Sequence, residues 1–448
     1  MSITVRNSGG GGFKIKNANI VEVCAVDGID SGLHVGVPLI MNSDSSYYTN
    51  ITANAEAVPV LNGKYVLSKA SQYSAVINLF EFNESTSKIV KKFTINVVPH
   101  TDSGLSYYSG LSKLNENEVL LWAYYATGNP KKDLYFTASL LIIDSNGEIT
   151  VTTYAPHFII SDTAAISGIG CYVVDKQRVV FRTKATAVDS VQHGSFTVIR
   201  IKTDKTIEYG DTLLAPTNNG LSYSAGCCSK GTTLLLYGYG YSKHHFSEWT
   251  INELEITKKG DCTELNDSYN TGIGSLGTNG KIVQLQYDTA ADVYVCTVSY
   301  SSSKGAGVDI LKKDSTGELI RGNSSKATSS VSNPDARLCI IIPGKLYALI
   351  FTHDGSSSYT SMYTYLLKGP NDRIPLSTTG TSGMFGYYSL STSDSAQALY
   401  AFGRILSGKL MCVSKQRLVL QPYAINLYSV GITTAKASEY GKAKMYAI

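Results

Sequence analysis

Tyrosine followed by serine recurs at one spacing in this chain. Tyr108–Ser109, Tyr223–Ser224 and Tyr388–Ser389 each begin eleven residues ahead of an apolar run, at Val119, Leu234 and Leu399. Tyr107 and Tyr387 precede two of the pairs. A tyrosine combines a broad apolar ring with a hydroxyl, which suits sugar rings and protein loops alike. Tyr107, Tyr108, Tyr223, Tyr387 and Tyr388 are therefore the candidate ligand-binding set. Packing between repeats is the plainer use of phased aromatics, and the spacing favours it. Asp102, Asp162 and Asp335 precede strands where a catalyst built from repeats would hold paired acids. Solvated loop carboxylates fit them better. His244–His245 sit in YSKHHFSEW, which reads as a surface loop without a metal. No G-x-S-x-G elbow, H-E-x-x-H helix or phosphate loop occurs. No catalytic residue, cofactor or metal site is expected.

Composition limits the remaining classes. Charged residues make up 17% of 448, while tyrosine reaches 31. Such a balance suits a β-rich, low-charge surface. The net charge of +4 is scattered, without the basic stripe that nucleic-acid binding needs. The densest cluster, Lys88–Lys92 (KIVKK), reads as the solvated face of an outer strand. The eight cysteines lie mostly within apolar runs and form no CxxC, so they read as buried free thiols of a reducing compartment. The N-terminus lacks the apolar core of a signal peptide, and no apolar run has the length of a membrane helix.

The elements that must position any site repeat. EVLLWAYY at Glu118–Tyr125 is the plainest of seven similar runs, anchored at Tyr65, Val119, Val179, Leu234, Val293, Leu346 and Leu399, in steps of 53 to 60 residues. A self-similar period of this size suits four-stranded propeller blades. Each anchor reads as a second strand, with a first strand about ten residues earlier and a hairpin after it. The seven hairpins include FEFNESTSKIVKKF, LIIDSNGEITV, LEITKKGDCTEL, YLLKGPNDRIPL and CVSKQRLVLQP. Asp144 and Asp314 read as first residues of β-turns. The expected fold is all-β: a seven-bladed β-propeller over residues 51–424. WD, kelch and sialidase-box signatures are absent.

Outside the repeats, residues 1–12 end in four glycines and read as a flexible arm. Residues 13–50 and 425–448 each contain strand-like alternation and read as halves of one small β base domain. KIKNANIVEVCAVDGIDSGLHVGVPL and LYSVGITTAKASEYGKAKMYAI carry a resemblance, through Gly32, Val35, Val37, Val430, Gly431, Ile432 and Gly441. They are similar to the opening and closing halves of small β-barrel modules in tailed-bacteriophage virion proteins of the fibre and decoration type. The resemblance implies a propeller inserted into a particle-docking base.

The expectation that follows is a non-enzymatic virion component of the tail-fibre or receptor-binding type, contacting host-surface glycan. A capsid decoration or head-fibre protein is one alternative. A glycan-cleaving propeller enzyme with acids at the channel mouth is another. The expected partners are other virion proteins through the base, host glycan and further copies of the chain, with neither nucleic acid nor membrane insertion. The expected location is the virion, assembled in the host cytoplasm.

Overall fold

Runs such as EVLLWAYY are apolar on both faces because they are buried on both faces. The computed structural model describes residues 56–70, 75–83, 88–97, 108–128, 132–163, 165–186, 192–214, 225–240, 243–258, 263–266, 281–299, 306–327, 336–355, 359–367 and 369–371. It also describes the strand segments 20–24, 47–48, 384–391, 399–404, 410–414, 418–421, 432–433 and 442–446. The arm expected at 1–12 lies outside the described residues. Among those described there is no α-helix, and hence none long and apolar enough to cross a membrane.

The strands form antiparallel sheets in chain order. In the first, Ala57–Val60, Tyr65–Lys69, Val76–Asn83 and Lys88–Asn96 lie side by side in sequence. The second follows the same path from Tyr108–Lys113 through Glu118–Thr127 to Lys132–Ile143. Four more begin with Ala165–Val173, Ala225–Lys230, Lys281–Asp288 and Ala336–Ile342. Each of these opening strands lies against the opening strand of the next sheet, and Leu399–Arg404 lies against both Ala336–Ile342 and Ala57–Val60. Among the described residues these strands thus touch one another in a circuit, and they are called inner strands below.

Packing between consecutive sheets explains the anchors. On Glu118–Thr127, Val119 and Leu121 meet Leu67 and Leu79 of the first sheet. Leu120 and Trp122, on the other face, meet Phe181 and Ile199 of the third. Further clusters join the third sheet to the fourth, the fourth to the fifth and the fifth to the sixth. A strand sandwiched in this way loses the polar alternation of a half-exposed one. The last strand of each path escapes this demand. Lys88–Asn96 ends the first sheet, and its Val90, Lys91 and Lys92 are exposed, as KIVKK suggested.

Turn chemistry follows the sequence at two hairpins. Asp144 Oδ1 accepts the Asn146 and Glu148 amides, both at 2.9 Å, and Gly147 takes a positive φ of 87°. Asp314 repeats the device with Thr316 and Glu318, again with a glycine at φ 87°. LEITKKGDCTEL is corrected. Its hairpin is made earlier, between Lys243–Asn252 and Glu255–Lys258. Glu255–Lys258 and Thr263–Asn266 are two pieces of one outer strand, both paired to Lys243–Asn252. YLLKGPNDRIPL supplies only one strand of its hairpin, since the partner of Tyr359–Leu367 is Met384–Ser391.

The last sheet departs from the expected phase. Leu399 opens an inner strand, whereas the other six anchors lie on second strands. Leu410–Ser414 and Leu418–Gln421 follow, and the fourth strand is Tyr47–Tyr48, with Tyr47 opposite Leu420 and Tyr48 opposite Val419. Tyr47–Tyr48, expected in the base, therefore completes the last sheet. Ile20–Cys24 pairs with Lys442–Tyr446, from Ile20 opposite Tyr446 to Cys24 opposite Lys442. Ile432–Thr433 joins the other edge of Lys442–Tyr446. The two ends of the chain thus share a three-stranded sheet.

Candidate functional site

Inner strands of neighbouring sheets approach edge to edge, so side chains must meet backbone groups that no ladder satisfies. Ser112 Oγ donates to the Cys171 carbonyl at 2.9 Å and Ser229 Oγ to that of Val174 at 2.8 Å. Gln284 Oε1 accepts the Leu338 amide at 2.8 Å, and Gln286 Nε2 donates to the Leu338 carbonyl at 2.9 Å. Between the first and second sheets the same task falls to a carboxylate. Glu56, just ahead of the first inner strand, accepts the Leu111 amide on Oε2 at 2.6 Å.

Glu56 reaches Leu111 by crossing Gly110. A β-carbon at Gly110 would stand 2.8 Å from Glu56 Oε2 and 2.4 Å from Trp122 Cζ2. Glycine is required there by the close approach of a carboxylate and an indole, not by a turn.

Two basic residues bear on Glu56. Lys69 ends the second strand of the first sheet, is 1% exposed, and its amide donates to the Glu56 carbonyl at 3.1 Å. Arg337 is the second residue of the sixth inner strand, and its field reaches Glu56. Burial raises the Glu56 carboxyl above its usual range, against the Leu111 amide and the charges of Lys69 and Arg337. Burial also lowers the Lys69 ammonium to about 8, against the pull of Glu56. Burial thus favours the neutral form of both groups. Glu56 lies at the sheet end opposite the Leu61–Gly63 turn.

The tyrosine set is only partly brought to this place. Tyr108 opens the second inner strand, two residues before Gly110, opposite Tyr124. Tyr107 and Tyr223 lie outside the described residues. Tyr387 and Tyr388 belong to Met384–Ser391, the outermost strand of the sixth sheet, opposite Tyr363 and Met362. The shared inner-strand phase is corrected for this pair, because the last sheet begins one strand later than its apolar run suggested. Asp162 falls near the end of His157–Thr163, a piece of the second sheet's outer strand, while Asp102 and Asp335 lie outside the described residues. His244 and His245 are consecutive residues of strand Lys243–Asn252 and not of a loop. Cys227, Cys228 and Cys296 are buried free thiols, and burial holds the first two well above the usual thiol range. Glu56, Lys69 and Arg337 were missed because glutamate, lysine and arginine so spaced carry no local motif. The one available signal was Gly110 inside a strand pattern, a mark of close approach.

No protein-family profile and no curated protein matches the chain. Solved structures do. A putative 6-phosphogluconolactonase from Bacteroides fragilis is 13% identical with a TM-score of 0.43, over 82% of this chain and 99% of that one. A polysaccharide lyase described as an ulvan lyase is 8% identical with a TM-score of 0.47, over 84% and 96%. Sqt1 of Saccharomyces cerevisiae is 8% identical with a TM-score of 0.46, over 85% and 99%. Two of these three carry enzyme names, and the expectation of a chain without catalysis is corrected on that finding. Identities this low speak to the fold and transfer no reaction.

Proposed function

We propose that the chain is a seven-bladed β-propeller on a base formed by its two ends, and that it recognises acidic glycan at the inner-strand mouth. In this reading it is a tailed-bacteriophage virion component of the fibre or receptor-binding type, displayed towards the host surface. The observation that supports the ligand class is the positive charge of Lys69 and Arg337 that bears on Glu56, near the end where Tyr108 opens the second inner strand. Positive charge near a strand end that also carries a tyrosine suits a sugar chain bearing carboxylates or sulfates. The virion assignment is supported by the resemblance of the terminal segments and by the pairing of Ile20–Cys24 with Lys442–Tyr446. A loop-grafted propeller needs its two ends close together, and that pairing supplies the condition.

Immobilised acidic and neutral polysaccharides test the ligand class. The acidic chain should retain the protein, and Arg337→Gln should weaken retention severalfold. Equal retention of wild type and variant would end the reading. Immunolabelling of intact particles tests the virion half, and a label absent from both tail and head would remove it.

Glycan cleavage is a second reading, favoured by the opposed shifts of Glu56 and Lys69. An acid shifted up and an amine shifted down, one beside the other, are the kind of pair that acid–base chemistry uses. Release of new chain ends from an acidic polysaccharide, abolished in Glu56→Gln, is the expected result. An unchanged polymer would discard it.

A further inference from the structure

At the opposite end of the sheets, four junctions between neighbouring sheets are bridged by large side chains. Between the first and second sheets Tyr65 occupies the space, 1% exposed. Lys64 Nζ lies 4.9 Å and Lys92 Nζ 5.3 Å from its ring centroid. Lys64 Nζ also donates to the Ser145 carbonyl at 2.8 Å. Between the second and third sheets Lys205 pairs with Glu118, and the Tyr154 hydroxyl donates to the Lys205 carbonyl at 2.8 Å. Between the third and fourth, Arg178 donates to the Glu253 carbonyl at 3.2 Å and Arg200 pairs with the Glu253 carboxylate. Between the fourth and fifth, Lys230 pairs with Asp292 and Lys313 with Glu248.

The fifth and sixth sheets leave the equivalent space open. Val293 stands at the anchor position that Tyr65 holds in the first sheet, and Gly322 presents no side chain. The result is a cavity of about 730 Å³, whose walls include Val293, Ile310, Gly322, Gly344 and Pro370. The volume lies within the roughly 300–1,000 Å³ of small-molecule sites. Lys312 also lines it, on the same strand face as Ile310. Among the described residues no carboxylate forms an ion pair with the Lys312 ammonium, whereas Lys313, on the other face, holds Glu248 at 2.6 Å. Asp288 lies behind the cavity but faces inward, its carboxylate taken up by Gly344, Tyr347, Ala290 and Ala291.

We propose that this cavity between the fifth and sixth sheets binds a monosaccharide-sized acid, its carboxylate on Lys312 and the apolar face of its ring between Val293, Ile310 and Pro370. The site is separate from the mouth at Glu56 and does not depend on it. The lining is more polar than apolar, which suits a ring that carries hydroxyls, and a lone cation selects the charged ring over its neutral counterpart.

Saturation-transfer NMR and calorimetry of the full chain with glucuronate, and with glucose as the uncharged control, test the site. Glucuronate should bind with roughly millimolar affinity and glucose should not register. Lys312→Gln should weaken binding about tenfold, the change expected for one charge-assisted hydrogen bond. Gly322→Val should abolish it by filling the cavity, because a β-carbon there meets the Ile310 carbonyl at a tolerable 3.4 Å. Glucuronate binding that Arg337→Gln weakens and Lys312→Gln does not would place the sugar at the Glu56 mouth and overturn the proposal. Glucuronate that fails to bind, glucose that binds equally well, or wild-type affinity in Lys312→Gln would overturn the proposal. Lys312 is exposed and its loss does not threaten folding, so that variant decides the matter if Gly322→Val misfolds.

Discussion

The Asp288 carboxylate, at the end of the fifth inner strand, accepts the Gly344 amide of the sixth sheet at 2.7 Å. The same carboxylate takes the Ala290 amide at 2.9 Å, the Ala291 amide at 3.1 Å and the Tyr347 hydroxyl. One buried acid thus closes its own turn and fastens the next sheet. Burial alone would raise its pKa, but the Tyr347 hydroxyl and the three amides outweigh that and lower it. Asp288→Asn directs an amide NH₂ at donors already in place, and should cost about 1–3 kcal/mol at neutral pH by urea denaturation. A carboxyl with a depressed folded-state pKa lends stability above the ordinary carboxyl range and loses it as pH falls through the folded value. The gap between wild type and variant should therefore narrow in acid, and a gap independent of pH would contradict this account.

Lys69 gives a slope of the same sign on the alkaline side. The folded protein releases this proton near pH 8, whereas the unfolded chain holds it to about 10.5. Between those values the unfolded state binds more protons, so stability rises with pH. Denaturation midpoints should climb from pH 8 to 10 in the wild type and climb less in Lys69→Met. Parallel curves would show that Lys69 is not desolvated.

Gly110→Ala probes the carboxylate crossing directly. The added methyl meets Trp122 and Glu56 well inside contact distance, and overpacking of this order costs roughly 1–3 kcal/mol. Glu56→Gln combined with Gly110→Ala should be less than additive, because both remove the same contact. A neutral Gly110→Ala would place Glu56 elsewhere.

Completion of the last sheet rests on Tyr47–Tyr48. A chain lacking residues 1–30 loses the Ile20–Cys24 strand but keeps Tyr47–Tyr48, whereas one lacking residues 1–50 loses both. Hydrogen exchange over residues 418–421 should accelerate only in the longer truncation, since only it leaves Leu418–Gln421 an unpaired edge. Equal exchange in both truncations would deny Tyr47–Tyr48 its place in the last sheet.

Much of this fold was legible in order. Six of the seven apolar anchors lie on second strands, KIVKK is an outer face, and the Asp144 and Asp314 turns are as read. These are local properties: a strand buried on both faces must be apolar throughout, and an Asp-initiated turn is made within five residues. The phase of the last sheet was not legible. ALYAFGR is equally apolar as an inner or a second strand, and only the arrival of Tyr47–Tyr48, more than 350 residues earlier in the chain, shifts it by one place. The displacement of Tyr387 and Tyr388 to an outer strand follows from that shift.

The amino-acid order by itself determined that this protein is made of strands, where most of them run, and that they come in repeating groups, because those properties depend on side-chain burial and turn chemistry within a few residues. Only the tertiary structure decided which strand closes the last sheet and that Glu56 is buried against Lys69 and Leu111. It alone left the space between the fifth and sixth sheets open. Those outcomes depend on which edges meet once the circuit is complete, and no stretch of sequence contains both partners of such a meeting.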